Sequence, residues 1–160
     1  MTNIRIGMGY DVHRLDDDLP LILGGVDIEY TKGIVAHSDG DVLLHAITDA
    51  LLGAAALGDI GHFFPDTDPK FKNINSAIIL HKVCDKLKNL SFNIINVDAT
   101  IVLEKPKLAP YINSIKKSVA SLLNIPLDHT NIKATTSETM GFVGRGEGII
   151  CYASVLIEKT

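Results

Sequence analysis

The rhythm of apolar and polar positions changes several times along this 160-residue chain, and each change predicts an element. Ile4 to Tyr10 alternates apolar with small or polar residues, the period of a strand. Leu21 to Ile28 predicts a second strand, with Gly24-Gly25 marking a bulge or a close backbone approach. From Asp41 to Leu57 the pattern becomes helical, with Ser38 or Asp39 as cap and Gly58 as stop. Gly58 to Asn75 is rich in Gly, Pro and Asp and reads as a long loop, a type of segment that is more often functional than idle. A second helix follows over Ser76–Leu90, with Ile79, Leu80, Val83, Leu87 and Leu90 on one face. Ile94–Glu104 predicts a strong strand, and Ala109–Leu123 a third helix with Pro110 in its first turn. Asn131–Thr136 and Ile149–Glu158 complete the set. The order β-β-α-α-β-α-β-β describes an α+β sandwich, one mixed sheet covered by helices, in a single domain over residues 1–160.

Composition narrows the function classes. Apolar residues make up 46% and charged ones 21%, enough for a core and no case for disorder. A net charge of -4 argues against nucleic acid as the main partner, because phosphate-backbone binding needs a basic surface. A small anion remains open, since a few local donors suffice to hold one. No apolar run reaches the roughly 18–20 residues that span a bilayer, so no membrane role is expected. The first residues carry no signal or transit character, and Cys84 and Cys151 lack paired spacing. Free buried thiols and a cytoplasmic location are the expectation.

Several polar clusters invite chemistry. In Asp11-Val12-His13 the outer residues point to one side of extended backbone, so a carboxylate and an imidazole can converge on one ion. His45 is the best third ligand, placed on a helix with Asp41 and Asp49 four residues to either side; either acid could orient the imidazole. Alone, Asp-x-His reads as a solvated turn and His45 as an exposed salt-bridged residue; the three together favour zinc. His37 and Ser38 sit near the start of that helix, where free N–H groups favour an anion; plain capping by Ser38 is the alternative and is compatible with binding one. Asp59 to Asp68 carries carboxylates among Gly and Pro that suit polyol hydroxyls or a divalent cation, or merely a solvated turn. Lys105-Pro106-Lys107 offers positive charge after a strand, and Glu138 is a hard ligand suited to magnesium. Gly141 to Gly148 lets backbone approach a ligand or a neighbouring chain, with Arg145 able to grip a phosphate; a tight hairpin is the plain alternative.

In this order the segments resemble the 2-C-methyl-D-erythritol 2,4-cyclodiphosphate synthase family over nearly the whole chain. The matching pieces are Gly9-Tyr-Asp-Val-His13, Ala36-His-Ser-Asp-Gly-Asp41, His45 to Gly53, Gly58-Asp-Ile-Gly61, Phe64-Pro-Asp-Thr-Asp68, Lys133-Ala-Thr-Thr136 and Gly144-Arg-Gly-Glu-Gly148. The resemblance implies conversion of 4-diphosphocytidyl-2-C-methyl-D-erythritol 2-phosphate to the cyclic diphosphate, with CMP released, in the non-mevalonate isoprenoid pathway. It implies Zn2+ on Asp11, His13 and His45, and Mg2+ or Mn2+ on Glu138 with the substrate phosphates. His37 and Thr136 match positioning or transition-state-stabilising positions, with Ser38 beside the former and Ser137 beside the latter. Asp59, Ile60, Gly61 and Phe64, Pro65, Asp66, Thr67, Asp68 match the methylerythritol loop. Leu103, Glu104, Lys105, Pro106 and Lys107 with Thr135 match the cytidine-diphosphate region, where Leu103-Glu-Lys departs from the family pattern. Asp11 and His13 also reach substrate in this scheme. The resemblance further implies a homotrimer with active sites shared between neighbours, and an isoprenoid diphosphate on the three-fold axis against Phe142 and Arg145. Two other readings stand beside it: a zinc phosphohydrolase that delivers water, and a trimeric isoprenoid-diphosphate sensor.

Overall fold

The computed structural model describes residues 3–65 and 74–160. Its main sheet has the strand order β4-β1-β7-β5-β6, made of β1 (Ile4–Asp17), β4 (Lys32–Val35), β5 (Phe92–Val102), β6 (Thr130–Thr135) and β7 (Gly148–Lys159). All pairings are antiparallel except β5 with β6, so the sheet is mixed, as expected from the sequence. β2 (Leu21–Leu23) and β3 (Val26–Ile28) form a separate hairpin. The helices are α1 (Val42–Ala54), the short α2 (Ile60–Phe63), α3 (Ser76–Asn89), α4 (Ile112–Leu123) and the single turn α5 (Gly141–Gly144). The parallel step from β5 to β6 uses α4 as its crossover.

α1 lies across β1 and β7, with α3 against its flank. Leu43, Ile47 and Leu51 are wholly buried between α1 and the sheet, where Ile101, Ile149 and Ile157 meet them in one core. Each such side chain contributes about 1.5–3 kcal/mol over an exposed position. The helix can sit this low because β1 presents glycine to it. A Cβ on Gly7 would stand 1.9 Å from the Ala50 carbonyl oxygen, and one on Gly9 would stand 1.9 Å from that of Ala46. Small residues face small residues along this seam, and the backbones meet.

β1 therefore has two unlike faces. Gly7, Gly9, Asp11, His13 and Leu15 look toward the helices, while Ile6, Met8, Tyr10 and Val12 look away from them. Ile6 and Met8 are 74% and 67% exposed, so this row of apolar side chains is uncovered in the single chain.

Asp41 caps α1, in place of the expected Ser38 or Asp39. It is fully buried: its carboxylate accepts from the N–H groups of Leu44 (3.1 Å), Gly24 (2.9 Å) and Gly25 (2.7 Å). Those last bonds explain why Leu21–Ile28 is two strands and not one. Gly24 and Gly25 both take positive φ, turn the chain, and aim their amides at the cap. Burial pushes the Asp41 carboxyl up to about 6, against the three N–H groups that favour its charge.

Other boundaries also moved. β1 runs through Asp11-Val-His13 to Asp17, well past Tyr10, because its far end pairs with β4, an element the apolar pattern does not reveal. α1 ends at Ala54, before Gly58, and α4 starts at Ile112, so Pro110 lies ahead of it. The run from Gly141 forms one helical turn leading into β7 and not a tight hairpin. Cys84 and Cys151 are free and more or less buried, as expected; burial pushes the Cys84 thiol up to about 11.

Replacing Gly9 with alanine tests the seam. The new methyl meets backbone that has no rotamer to yield, so Gly9→Ala is expected to cost about 3 kcal/mol or more. Urea denaturation of metal-free protein would read this, and a midpoint equal to that of the parent would refute it.

Candidate metal and active site

The seam sets the site. With Gly9 seated under Ala46, the next inward-facing residues of β1, Asp11 and His13, come level with His45. Asp11 Oδ2 lies 3.0 Å from His13 Nε2 and 3.0 Å from His45 Nδ1, and the two nitrogens are 3.4 Å apart. The three donor atoms all fall within 4.8 Å of one another, from residues neither fully buried nor exposed. One carboxylate oxygen and two imidazole nitrogens facing a shared point fit a zinc-type ion with one position left open.

Burial alone would push Asp11 up, but hydrogen bonds and charge from His13 and His45 outweigh it and hold the carboxyl at about 2. It therefore stays an anion, the form a metal needs.

The acids expected to orient His45 do not touch its ring. Asp41 serves as the buried cap, and Asp49 accepts the Ile60 N–H at 2.7 Å, which holds α2 against α1. Burial raises the Asp49 carboxyl above its ordinary value, with the Ile60 bond opposing. The far ring nitrogen, His45 Nε2, instead lies 2.8 Å from Ser76 Oγ and 3.3 Å from Ser38 Oγ. Ser76 was not singled out by the sequence; its position beside Asn75 at a helix start gives it the look of an ordinary capping residue.

Around the ligands is a cavity of about 190 Å³, lined among others by His37, Ser38, Asp49, Ile60, Gly61 and Phe64. Most of the predicted His37–Ser38 and Ile60–Phe64 contributions are thus brought to the metal group. His37 is exposed and precedes the capping Asp41 by four positions, and the Asp41 carboxylate takes the Leu44 N–H at the start of α1. Asp59 caps α2 through the His62 N–H at 2.9 Å. Pro65 follows Phe64 outside the cavity wall. Asp66, Thr67 and Asp68 lie outside the described residues.

The other predicted residues gather elsewhere at the same end of the sheet. Leu103, Glu104, Pro106, Lys107, Thr135 and Thr136 line a second depression of about 200 Å³, beyond Val102 and Thr135 at the paired ends of β5 and β6. Lys105 precedes Pro106 through a cis peptide. Glu104 Oε2 accepts the Ser137 N–H at 3.3 Å, so this acid ties the two segments together. Thr136 Oγ1 donates to Glu138 Oε1 at 3.0 Å, and Glu138 takes no part in the Asp11–His13–His45 group. Phe142 borders a third hollow with Arg14, Lys32 and Glu147. Arg145 is already paired with Glu147 in a fork, at 2.8 and 2.9 Å.

Helices on one face of a mixed sheet, with an Asp/His/His group able to hold a metal opening into a cavity at the strand ends, are consistent with a metal-dependent α+β enzyme. The chain belongs to the YgbB family, whose model matches residues 4–158. Over 156 residues it is 55% identical to a 2-C-methyl-D-erythritol 2,4-cyclodiphosphate synthase of Idiomarina loihiensis, covering 98% of both chains. It superposes on the bifunctional IspDF of Campylobacter jejuni with a TM-score of 0.96 at 44% identity, all of this chain matching 43% of that one. The IspF–CDP complex of Plasmodium falciparum gives a TM-score of 0.87 at 35% identity, covering 100% of this chain and 99% of that one.

The low Asp11 value has a consequence for acid stability in the metal-free protein. A carboxyl held at about 2 stabilises the fold at any pH above its ordinary value of 3.8, and that contribution is lost as pH falls toward 2. It amounts to something on the order of 2 kcal/mol. Metal-free parent and Asp11→Asn should differ by that amount in urea at pH 5, the gap narrowing steadily below pH 4. A gap that widens in acid would contradict the assignment.

Proposed function

We propose that this chain converts 4-diphosphocytidyl-2-C-methyl-D-erythritol 2-phosphate to 2-C-methyl-D-erythritol 2,4-cyclodiphosphate and CMP. The observation that carries this reading is the Asp11–His13–His45 group opening into a cavity, in a chain that matches synthases of that name end to end. An oxygen of the substrate's own 2-phosphate attacks the β-phosphorus; the bond from that phosphorus to the bridging oxygen breaks, and CMP leaves with the electron pair. Nucleophile and leaving group are both phosphates of one molecule, so the protein needs no covalent nucleophile. Its task is to hold them in line and disperse charge.

The residues divide that task. Asp11, His13 and His45 would hold Zn2+, and Glu138 would share Mg2+ or Mn2+ with the diphosphate. Divalent cations there supply charge stabilisation to the phosphoryl oxygens. His37 and Ser38, at the cavity mouth, donate to the 2-phosphate end, and Thr136 donates at the diphosphate. Asp59 to Gly61 and Phe64 to Asp68 receive the methylerythritol portion. Leu103 to Lys107, with Thr135 and Ser137, receive the cytidine portion; main-chain contacts there tolerate the divergent Leu103-Glu-Lys.

A homotrimer is part of the proposal. The metal cavity and the 103–107 depression share no lining residue, and strand β7 lies between β1 and β5. A site joined across two copies would bring them together. The uncovered row Ile6, Met8, Tyr10 and Val12, with Tyr152 beside it on β7, gives such copies an apolar surface to bury. Phe142 and Arg145 would then face the shared axis, where an isoprenoid diphosphate would have to draw Arg145 from Glu147. Among the described residues no helix is long and apolar enough to cross a membrane. The single domain of residues 1–160 acts in the cytoplasm.

Phosphorus NMR of the protein with the cytidine-diphosphate substrate, zinc and magnesium tests the reaction. Two coupled cyclic-diphosphate resonances are expected to appear with CMP; inorganic phosphate would mean a hydrolase, and an unchanged spectrum a binding protein. His45→Ala should lose bound zinc and at least about a hundredfold in turnover together, and an active zinc-free variant would refute the metal's role.

A further inference from the structure

The ring of His45 has two ends, and the metal reading uses one of them. Its Nδ1 shares Asp11 Oδ2 with His13, whereas Nε2 points the other way, 2.8 Å from Ser76 Oγ. Ser76 is completely buried at the first turn of α3. Its hydroxyl donates in turn to Asp39 Oδ1, and its backbone N–H donates to Asp39 Oδ2 at 3.0 Å. Asp39 is itself fixed: its N–H donates to the Ile74 carbonyl at 3.2 Å, and its Oδ1 accepts the Asp41 N–H at 3.2 Å. Ser38 Oγ also approaches Nε2, but at 3.3 Å, and it already accepts the Gly40 N–H.

Direction follows from what each group can donate. The Asp39 carboxylate accepts only, so the Ser76 hydroxyl must spend its one proton there. Ser76 Oγ then has only lone pairs to offer His45, and Nε2 must carry the hydrogen. A neutral imidazole protonated at Nε2 leaves the Nδ1 lone pair free, on the side where Asp11 and His13 wait.

We propose that Ser76 and Asp39 are positioning residues that lock His45 in the Nε2–H tautomer and aim its Nδ1 at the metal; this rests on the metal reading of Asp11, His13 and His45. The device replaces the direct carboxylate partner that metal-ligating histidines commonly have with a carboxylate acting through a serine. It also joins three elements. The ligand stands on α1, the hydroxyl on α3 and the carboxylate in the segment between β4 and α1, so metal affinity reports on how α3 docks.

The test is zinc binding, measured by chelator competition on Ser76→Ala and Asp39→Asn, with thermal unfolding of the metal-free proteins alongside. Loss of such a partner is expected to weaken zinc binding about 10–100-fold, with one zinc per chain still bound at saturation. Nitrogen-15 spectra of zinc-loaded parent should show His45 protonated at Nε2 and slow to exchange with solvent; in Ser76→Ala that proton should exchange fast. If both variants unfold at lower temperature yet keep zinc affinity within about twofold and retain the protected Nε2 proton, the pair is merely structural and the inference is overturned. Two variants guard against a folding failure in one of them. A parent that binds no zinc overturns the metal reading and this inference with it; a parent whose zinc depends on His45, beside variants that bind equally well, overturns the relay alone.

Discussion

The contact on which the rest depends is backbone against backbone: α1 pressed onto β1 where Gly7 meets Ala50 and Gly9 meets Ala46. No side chain intervenes, so the spacing between helix and strand is set by main-chain atoms, the least adjustable parts of the molecule. Two residues beyond Gly9 comes Asp11, then His13, and one residue before Ala46 comes His45. The metal group is thus an extension of the packing seam. Ligands held by rigid elements at this closeness have little freedom to drift, which is what a catalytic ion requires of its protein.

A second layer of constraint secures α1. Asp41 binds the helix start to the Gly24-Gly25 turn, and Asp49 binds the α2 amide to its middle. Both acids flank His45 in sequence, and both are committed to main-chain donors. The Nε2 end of the ring is left to Ser38 and Ser76, which arrive from outside the helix. The charges nearest the ligand in sequence are therefore structural, while the one that reaches it through Ser76, from Asp39, lies further away along the chain.

This division explains what could be read from the sequence. The long elements α1, α3 and β5 were legible because their periodicity is local and strong. Asp11, His13 and His45 were legible because residue type and period-two spacing carry their own chemistry. The far half of β1 was not: Arg14 to Asp17 looks like a polar turn and is held extended by pairing with β4, a long-range fact. Likewise Leu21–Ile28 alternates well enough for one strand, and only Asp41, far along the chain, makes it a hairpin. Asp41 and Asp49 flank His45 at helical spacing yet bind main-chain amides, since helical spacing says which residues share a side but not which donors come to meet them. Ser76 was invisible for the same reason. Its significance is that a residue on another helix, 31 positions away, puts a ring nitrogen beside it.

The two-faced character of β1 has an evolutionary corollary. Odd-numbered residues from Gly7 to His13 serve packing and chemistry, while even-numbered ones from Ile6 to Val12 form the outward apolar row. Point substitutions can drift on one set without disturbing the other, so the two surfaces are free to diversify independently among descendants. A single-codon insertion or deletion has no such latitude. It would exchange the sets wholesale, turning tyrosine toward the helix and aspartate toward solvent, and lineages carrying it should be purged at once. The strand is a ratchet on its own gene, permissive of spelling changes and closed to changes of length.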